Sequence, residues 1–162
     1  MSALALTDHG NMFGALRFEQ LCHKEGINPL VGCEFYVAGG SRKERRGTEE
    51  GNKYYHLILI AKNVQGYKNL CYLTSLSYTE GMYYKPRIDE ELIRQYSEGL
   101  ICLTACVAGQ LPQLLLAGKN DEAEKMVRYM MDKRGVEIKE FHIEHSTAKV
   151  ESIASVISSV VY

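Results

Sequence analysis

Four apolar runs with strand-like composition, separated by segments of helical periodicity, constrain the fold of this chain more than any other feature. The runs are ALAL from Ala3, NPLVGCEFYVA from Asn28, YYHLILIAKN from Tyr54 and LICLTACVAG from Leu100. The first is expected to be a buried strand that ends near Thr7. Because strands that alternate with helices are typical of layered mixed folds, the pattern indicates an α/β domain.

Helices are predicted between the first and second runs, between the third and fourth runs, and after the fourth run. The first helix is expected from Asn11 to Glu25, with Phe13, Leu16 and Leu21 as its apolar stripe and Gly26 after its end. The other predicted helices cover residues 65–81, 90–96, 111–117 and 120–133. Residues 39–53 are polar and rich in glycine, so we expect a loop there.

Length, charge and cysteine content narrow the class of protein. The 162 residues suit one domain, and a net charge of -1 provides no global attraction to nucleic acid or membrane. No apolar stretch is long enough to cross a bilayer, and no signal peptide is visible. The five cysteines show no C-x-x-C spacing, which favours reduced thiols. We therefore expect a cytoplasmic protein with no membrane partner.

Residue types that bind metal ions occur at or beside all four apolar runs. Asp8 and His9 follow the first, Glu34 lies within the second, His56 opens the third and Cys106 lies at the end of the fourth. Loops at strand ends are where ligands bind in α/β folds. Mixed nitrogen, oxygen and sulfur donors suit zinc, manganese or iron. The pattern therefore predicts a metal site at one mouth of the sheet.

Each of these residues also has a structural interpretation. Asp8 precedes a helix and can be its N-cap, while His9 can be an ordinary loop residue. His56 can be a hydrogen-bonded core histidine, and Cys106 a small packed side chain. Glu34 is the least easily explained, because a carboxylate in an apolar strand requires a partner or a metal.

Residues 3–38, 54–89 and 98–118 together resemble the PHP (polymerase and histidinol phosphatase) domain family. More narrowly, they are similar to the copy at the N-terminus of the bacterial DNA polymerase III alpha subunit. Asp8 and His9 match the family's TDHG motif, and Glu34 matches its G-x-E-x-Y segment. His56 matches the start of its H-L-x-L-x-A-K strand, and Cys106 matches its L-S/T-x-C motif.

The resemblance implies that these five residues are ligands of a polynuclear metal centre. It also implies a partial distorted (β/α) barrel of the PHP type, without the first and closing strands. The implied activity is that of a metal-dependent phosphoesterase or 3′→5′ exonuclease in DNA replication. Its implied partners are DNA and the other subunits of the replicative polymerase.

The chain departs from the family pattern in ways that affect the expected activity. It opens after the strand that carries the family's H-x-H ligands, and nothing after Gly118 matches the family's N-D-x-H-like motif. We therefore expect a PHP fragment over residues 1–134, followed by a divergent tail over residues 135–162. The polymerase palm carboxylates of the family lie beyond this length, so we expect no DNA synthesis. With its ligand set incomplete, the isolated chain is expected to bind metal weakly and to be inactive or slow.

Two other functions fit the same residues. The domain can be a non-catalytic scaffold that a metal stabilises, which the missing ligands favour. It can also be a free-standing enzyme that resembles histidinol phosphatase, but GMYYKPRID from Gly81 is typical of the polymerase branch.

A basic cluster lies in the polar loop between Glu34 and His56. It contains Arg42, Lys43, Arg45 and Arg46. These side chains are candidates for contacts with backbone phosphates, although a charge run can also be a solvated loop.

Overall fold

The structure is a computed structural model that describes residues 1–45 and 54–132. The strands in this part of the chain are β1 Ala3–Leu6, β2 Asn28–Ala38, β3 Tyr54–Ala61, β4 Met82–Tyr83, β5 Lys85–Ile88 and β6 Leu100–Leu103. The helices are α1 Ala15–Lys24, α2 Val64–Thr79, α3 Glu90–Gln95, α4 Gln110–Leu116 and α5 Asn120–Asp132. The predicted tail, residues 135–162, lies outside the described residues.

The strands form a mixed sheet centred on β2. The strand order is β4-β5-β2-β3-β6, and β1 pairs with β2 outside this path. β2 is antiparallel to β3 and parallel to both β1 and β5. The mixed α/β fold is thus confirmed. In the described part of the chain β4 and β6 do not pair with each other, so these strands make an open sheet and the expected partial barrel stays a prediction.

The hydrophobic core lies on one face of the sheet, under α2 and α3. Because side chains of a strand alternate between faces, Cys33, Phe35 and Val37 of β2 all enter the core. Leu70 and Leu73 of α2 pack against them and are fully buried. A large apolar side chain buried in this way stabilises the fold by about 1.5–3 kcal/mol. The opposite face of β2 is left for Glu34 and Tyr36.

The expectation that the first run is a buried strand was wrong. Within the described residues β1 pairs only with β2, and Leu4 is 41% exposed. The predicted apolar stripe of the first helix was also wrong, since Phe13, Leu16 and Leu21 are all exposed. α1 buries the small residues Ala15 and Cys22 instead.

One predicted boundary changed and one hairpin was missed, each for a local reason. α1 begins at Ala15 rather than Asn11, because the Asn11 side chain accepts a hydrogen bond from the Phe13 amide and donates one to the His9 carbonyl. Such side-chain bonds compete with helix formation. The β4–β5 hairpin in GMYYKPRID was missed, because its two strands are too short to show a period. No described helix is long and apolar enough to cross a membrane.

Candidate metal centre

The backbone brings His9 and Glu34 together although they are far apart in sequence. After β1 ends, the chain returns to the edge of β2. There the Glu34 amide donates to the Asp8 carbonyl at 3.0 Å, and the Gly10 amide donates to the Glu34 carbonyl at 2.9 Å. These bonds form an isolated parallel bridge between His9 and Glu34. Paired residues in a parallel ladder project to the same face, so both side chains leave the sheet together.

The antiparallel pairing of β2 with β3 adds His56 to the same face. In this register His56 lies opposite Tyr36, which makes it a diagonal neighbour of Glu34. His56 Nδ1 lies 2.6 Å from Glu34 Oε1, and His9 Nε2 lies 3.7 Å from Glu34 Oε2. One donor atom from each of the three residues can be chosen so that all lie within 4.8 Å of one another.

The chemistry of these donors fits a transition metal. Two imidazole nitrogens and one carboxylate oxygen form a common ligand set for zinc, manganese or iron. The Glu34 and His56 side chains are only 14% and 19% exposed, whereas the His9 side chain is 59% exposed. The group is therefore anchored in the sheet on one side and open to solvent at His9.

Cys106 lies beside this group but is not one of the three. Its Sγ is 3.8 Å from His56 Nδ1, and the Ala108 amide donates to that sulfur at 3.4 Å. The loop is attached to β3, where the His56 amide donates to the Ala108 carbonyl at 3.0 Å. Ala105 has φ of 59°, a left-handed conformation that a residue other than glycine rarely adopts. The loop thus holds the Cys106 thiol next to His56.

Asp8 contributes its backbone to the site, and its carboxylate lies near Gly14, outside the three-residue group. A Cβ atom at Gly14 would lie 3.3 Å from Asp8 Oδ2, so the carboxylate is turned toward the start of α1. It is not an N-cap, because α1 is capped by Gly14 without any side-chain hydrogen bond. Of the five residues expected to converge, His9, Glu34 and His56 form the group, Cys106 adjoins it and Asp8 lies beside it.

Cys33 is next to Glu34 in sequence but lies on the core face. Burial raises the pKa of the Cys33 thiol to about 12, and the Asp8 charge adds to this rise. The thiol is therefore neutral near pH 7, and it lies on the opposite face of the sheet from His9, Glu34 and His56.

Sequence reasoning missed an aromatic frame around the three residues. The Tyr36 ring lies 5.4 Å from the His56 ring and 6.2 Å from the His9 ring, measured between centroids. Tyr54 stacks on His56 with an interplanar angle of 8°, and Lys85 Nζ lies 5.3 Å from the Tyr36 centroid. The sequence did contain a signal for this aromatic frame, because Tyr36 is two residues after Glu34 and therefore on the same face of the strand.

The basic loop is not one exposed cluster. Arg42 is 5% exposed, and its guanidinium binds the carboxylates of Glu80, Asp89 and Glu91. Burial by itself lowers the pKa of Arg42, but the hydrogen bonds to these carboxylates outweigh it and hold the pKa above its ordinary value. The expectation that Arg42 faces DNA phosphates is therefore corrected, because carboxylates occupy its donors. Lys43 and Arg45 are exposed, and Arg46 lies outside the described residues.

Comparison with known proteins shows which family the sequence matches. The PHP domain family matches residues 1–148, a range that runs past residue 134, where the sequence analysis placed the domain end. The chain is 60% identical over 126 residues to DNA polymerase III subunit alpha of Treponema pallidum, covering 78% of this chain and 11% of that protein. The corresponding subunit of Chlamydia pneumoniae is 54% identical over 121 residues, covering 75% of this chain and 10% of that protein. The subunit of Thermus aquaticus is 47% identical over 123 residues, with the same two shares. The chain spans about a tenth of the length of these relatives.

Proposed function

Because this chain belongs to the PHP domain family, we propose that His9, Glu34 and His56, with Cys106 beside them, bind a metal ion in a centre for phosphoester hydrolysis at nucleic-acid ends. The observation that carries the proposal is the meeting of three metal-binding side chains within 4.8 Å on the polar face of the sheet. They come from three separate segments, and main-chain hydrogen bonds place two of them.

A bound divalent metal would supply an acidified water and polarise the phosphoryl oxygen. Glu34 lies between the two imidazoles, and its Oε1, 2.6 Å from His56 Nδ1, orients the His56 ring. The exposed side of His9 leaves an approach for a phosphodiester, and the exposed Lys43 and Arg45 are candidates for phosphate contacts. These features support 3′→5′ exonuclease chemistry, which the family resemblance implies.

The matched relatives support a place for this domain in DNA replication. We propose that it works within a replicative polymerase of the alpha-subunit type, with DNA and the other polymerase subunits as partners. We also propose that its open sheet is part of a barrel of the PHP type.

A metal-stabilised scaffold without catalysis is the second candidate. It is favoured by the position of Asp8, whose carboxylate lies outside the three-residue group. A catalytic two-metal site holds its ions with roughly four to six ligands each, some of them bridging. Three converging side chains and one adjacent thiol can hold one tetrahedral ion. We therefore expect the isolated chain to bind one metal and to hydrolyse DNA slowly or not at all.

Metal binding is the first test. Zinc and manganese are titrated into chelator-treated protein, and the bound metal is counted by elemental analysis after dialysis. The wild type is expected to retain about one ion per chain, and Glu34→Gln should lose at least tenfold in affinity because it removes the central ligand. Glu19→Gln, an exposed glutamate of α1, is the matched control and should bind as the wild type does.

Hydrolysis of an end-labelled single strand with manganese or zinc then separates the two candidates. Hydrolysis that Asp8→Ala and His56→Ala abolish would support the enzyme and refute the expectation of a slow chain. Stoichiometric metal that raises the melting temperature, without hydrolysis, would support the scaffold. Wild-type protein that binds neither metal would overturn both.

A further inference from the structure

We propose that the turn of the β4–β5 hairpin, through Tyr84 and Lys85, is a binding subsite for single-stranded nucleic acid beside the metal-binding group. Tyr84 stacks on a base, and Lys85 contacts the adjoining phosphate. The inference rests on the proposed function, because it assigns the substrate contact of that same site.

The first observation is the conformation and exposure of Tyr84. Its φ is 58°, so a large side chain occupies a left-handed position that glycine would adopt without strain. The side chain is 81% exposed and therefore recovers little of that strain by packing. Strained residues that the fold does not need are often found at binding sites.

The second observation is that the exposed ring has a rigid support. The Tyr83 and Tyr84 rings meet edge to face, with centroids 4.7 Å apart. The guanidinium carbon of Arg87 lies 5.2 Å from the centroid of Tyr83. Arg87 is buried, and its guanidinium donates to the carbonyls of Gly81, Arg42 and Glu44. An aromatic ring held in this way loses little freedom when a base stacks on it.

The third observation places the turn next to the metal-binding group. β5 pairs with β2 so that Arg87 lies opposite Tyr36. The pairing ends there, because the Asp8–Gly10 segment bonds to Glu34 and occupies the next place along this edge of β2. Lys85 begins β5 and so lies on the outer side of this segment. Gly10 packs tightly there, because a Cβ at this position would lie 2.9 Å from Pro86 Cγ.

The charge at the turn suits a phosphate. The Lys85 ammonium lies against the Tyr36 ring, which also contacts the rings of His9 and His56. Within residues 1–45 and 54–128, no carboxylate forms an ion pair with Lys85. A cation over an aromatic ring, next to an exposed aromatic side chain, is the combination by which proteins bind single strands without reading sequence.

The experiment measures binding of a short fluorescein-labelled oligothymidylate by anisotropy, with EDTA present so that no metal contributes. Tyr84→Ala should weaken binding on the order of 5- to 100-fold, while Tyr84→Phe retains it. Tyr84→Gly should weaken binding equally and leave the melting temperature at or above that of the wild type, because it relieves the strain at φ 58°.

Lys85→Ala should lower the slope of log affinity against log salt concentration by about one, because one phosphate contact is lost, and Lys85→Arg should restore that slope. Tyr78→Ala, an exposed tyrosine of α2, is the control and should bind normally.

Three results would overturn the inference: undetectable binding by the wild type, normal binding by Tyr84→Gly, or an equal loss in Tyr78→Ala. Hydrolysis of bis-p-nitrophenyl phosphate by wild-type protein with manganese, measured in parallel, reports on the metal centre alone. Loss of oligothymidylate binding in Tyr84→Gly without any hydrolysis by the wild type would sustain the subsite and count against the phosphoesterase. Hydrolysis by the wild type together with normal binding by Tyr84→Gly would support the phosphoesterase and refute the subsite.

Discussion

At the scale of single residues, main-chain pairing decides which side chains can act together. Glu34 and Cys33 are neighbours in sequence, yet Glu34 contacts two histidines while Cys33 is fully buried in the core. Period-two alternation accounts for this separation. Cys106 joins the site from another segment, because the loop after β6 bonds to the backbone of β3 beside His56.

Alkylation of cysteines tests the proposed role of Cys106. In the metal-free protein at pH 8, iodoacetamide should modify the exposed Cys71 and Cys106 and leave Cys33 unmodified, since its thiol is buried and its pKa is about 12. Saturating zinc should slow modification of Cys106 at least tenfold and leave that of Cys71 unchanged. Peptide mass spectrometry reads each site separately. Equal rates at Cys106 with and without zinc would exclude it as a ligand.

At the scale of elements, close backbone approaches and a buried ion cluster fix the elements around the sheet. Gly66 lies in the first turn of α2, where the Gly99 carbonyl oxygen occupies the place that a Cβ would take. Arg42 connects the segment after β2 to the end of α2 and the start of α3 through Glu80, Asp89 and Glu91. Asp89 has a second role, because it caps α3 by accepting from the Leu92 amide at 3.1 Å.

Gly66→Ala should destabilise the chain although alanine favours helices. The propensity gain is about 1 kcal/mol. The added methyl overlaps a carbonyl oxygen, and overpacking typically costs about 1–3 kcal/mol, with more when the backbone must move. We expect a net loss of up to about 2 kcal/mol in urea unfolding, and more where the backbone has to move. Lys68→Ala, at an exposed position of the same helix, should be neutral or slightly stabilising. A stabilised Gly66→Ala would show that α2 can move away from Gly99.

Arg42→Ala should be among the most destabilising substitutions in the loop. It leaves the Asp89 carboxylate, 5% exposed, without its cation, and breaking a buried pair from one side costs about 3–5 kcal/mol. Lys43→Ala, at the next and exposed position, should change the free energy of unfolding by less than about 0.5 kcal/mol. Arg42→Lys should recover only part of the loss, because one ammonium cannot serve three carboxylates. Urea unfolding of the three variants measures these differences. A small loss of unfolding free energy in Arg42→Ala would mean that Asp89 is solvated.

The sequence predicted the ranges of helices and strands better than it predicted which of their side chains are buried. The range of β2 is confirmed at both ends, and α2 and α3 agree within a residue or two, because their apolar patterns are long or their caps clear. The apolar residues of β1 and α1 were assigned to a core that does not cover them. Hydrophobic periodicity identifies a face that can be buried, and only the neighbouring elements decide whether it is.

At the scale of the whole molecule, one side of the sheet carries an open edge next to exposed apolar side chains. Among the described strands, β1 has β2 as its only partner. Phe13, in the turn before α1, and Leu16, in its first turn, are 85% and 70% exposed, and α1 contacts β1. Unpaired edges and apolar patches both promote association.

We therefore predict that the isolated chain associates with itself in a concentration-dependent way. The double variant Phe13→Ser and Leu16→Ser should shift sedimentation-velocity distributions toward monomer, because it removes the apolar surface beside the edge. Val64→Ser changes an exposed apolar residue on α2, a different helix, and should leave the distribution unchanged. A wild type that is monomeric across the accessible concentration range would contradict the prediction.

The sequence by itself determined the α/β class, most helix and strand positions and the identity of the metal-binding residue types, because these depend on local periodicity and on the chemistry of single side chains. Only the tertiary structure decided that His9, Glu34 and His56 meet, that the Asp8 carboxylate lies near Gly14 and that Arg42 is buried among carboxylates. The physical reason is that strand register and loop attachment are set by pairings between distant segments. A shift of one residue in such a pairing moves a side chain to the opposite face of the sheet.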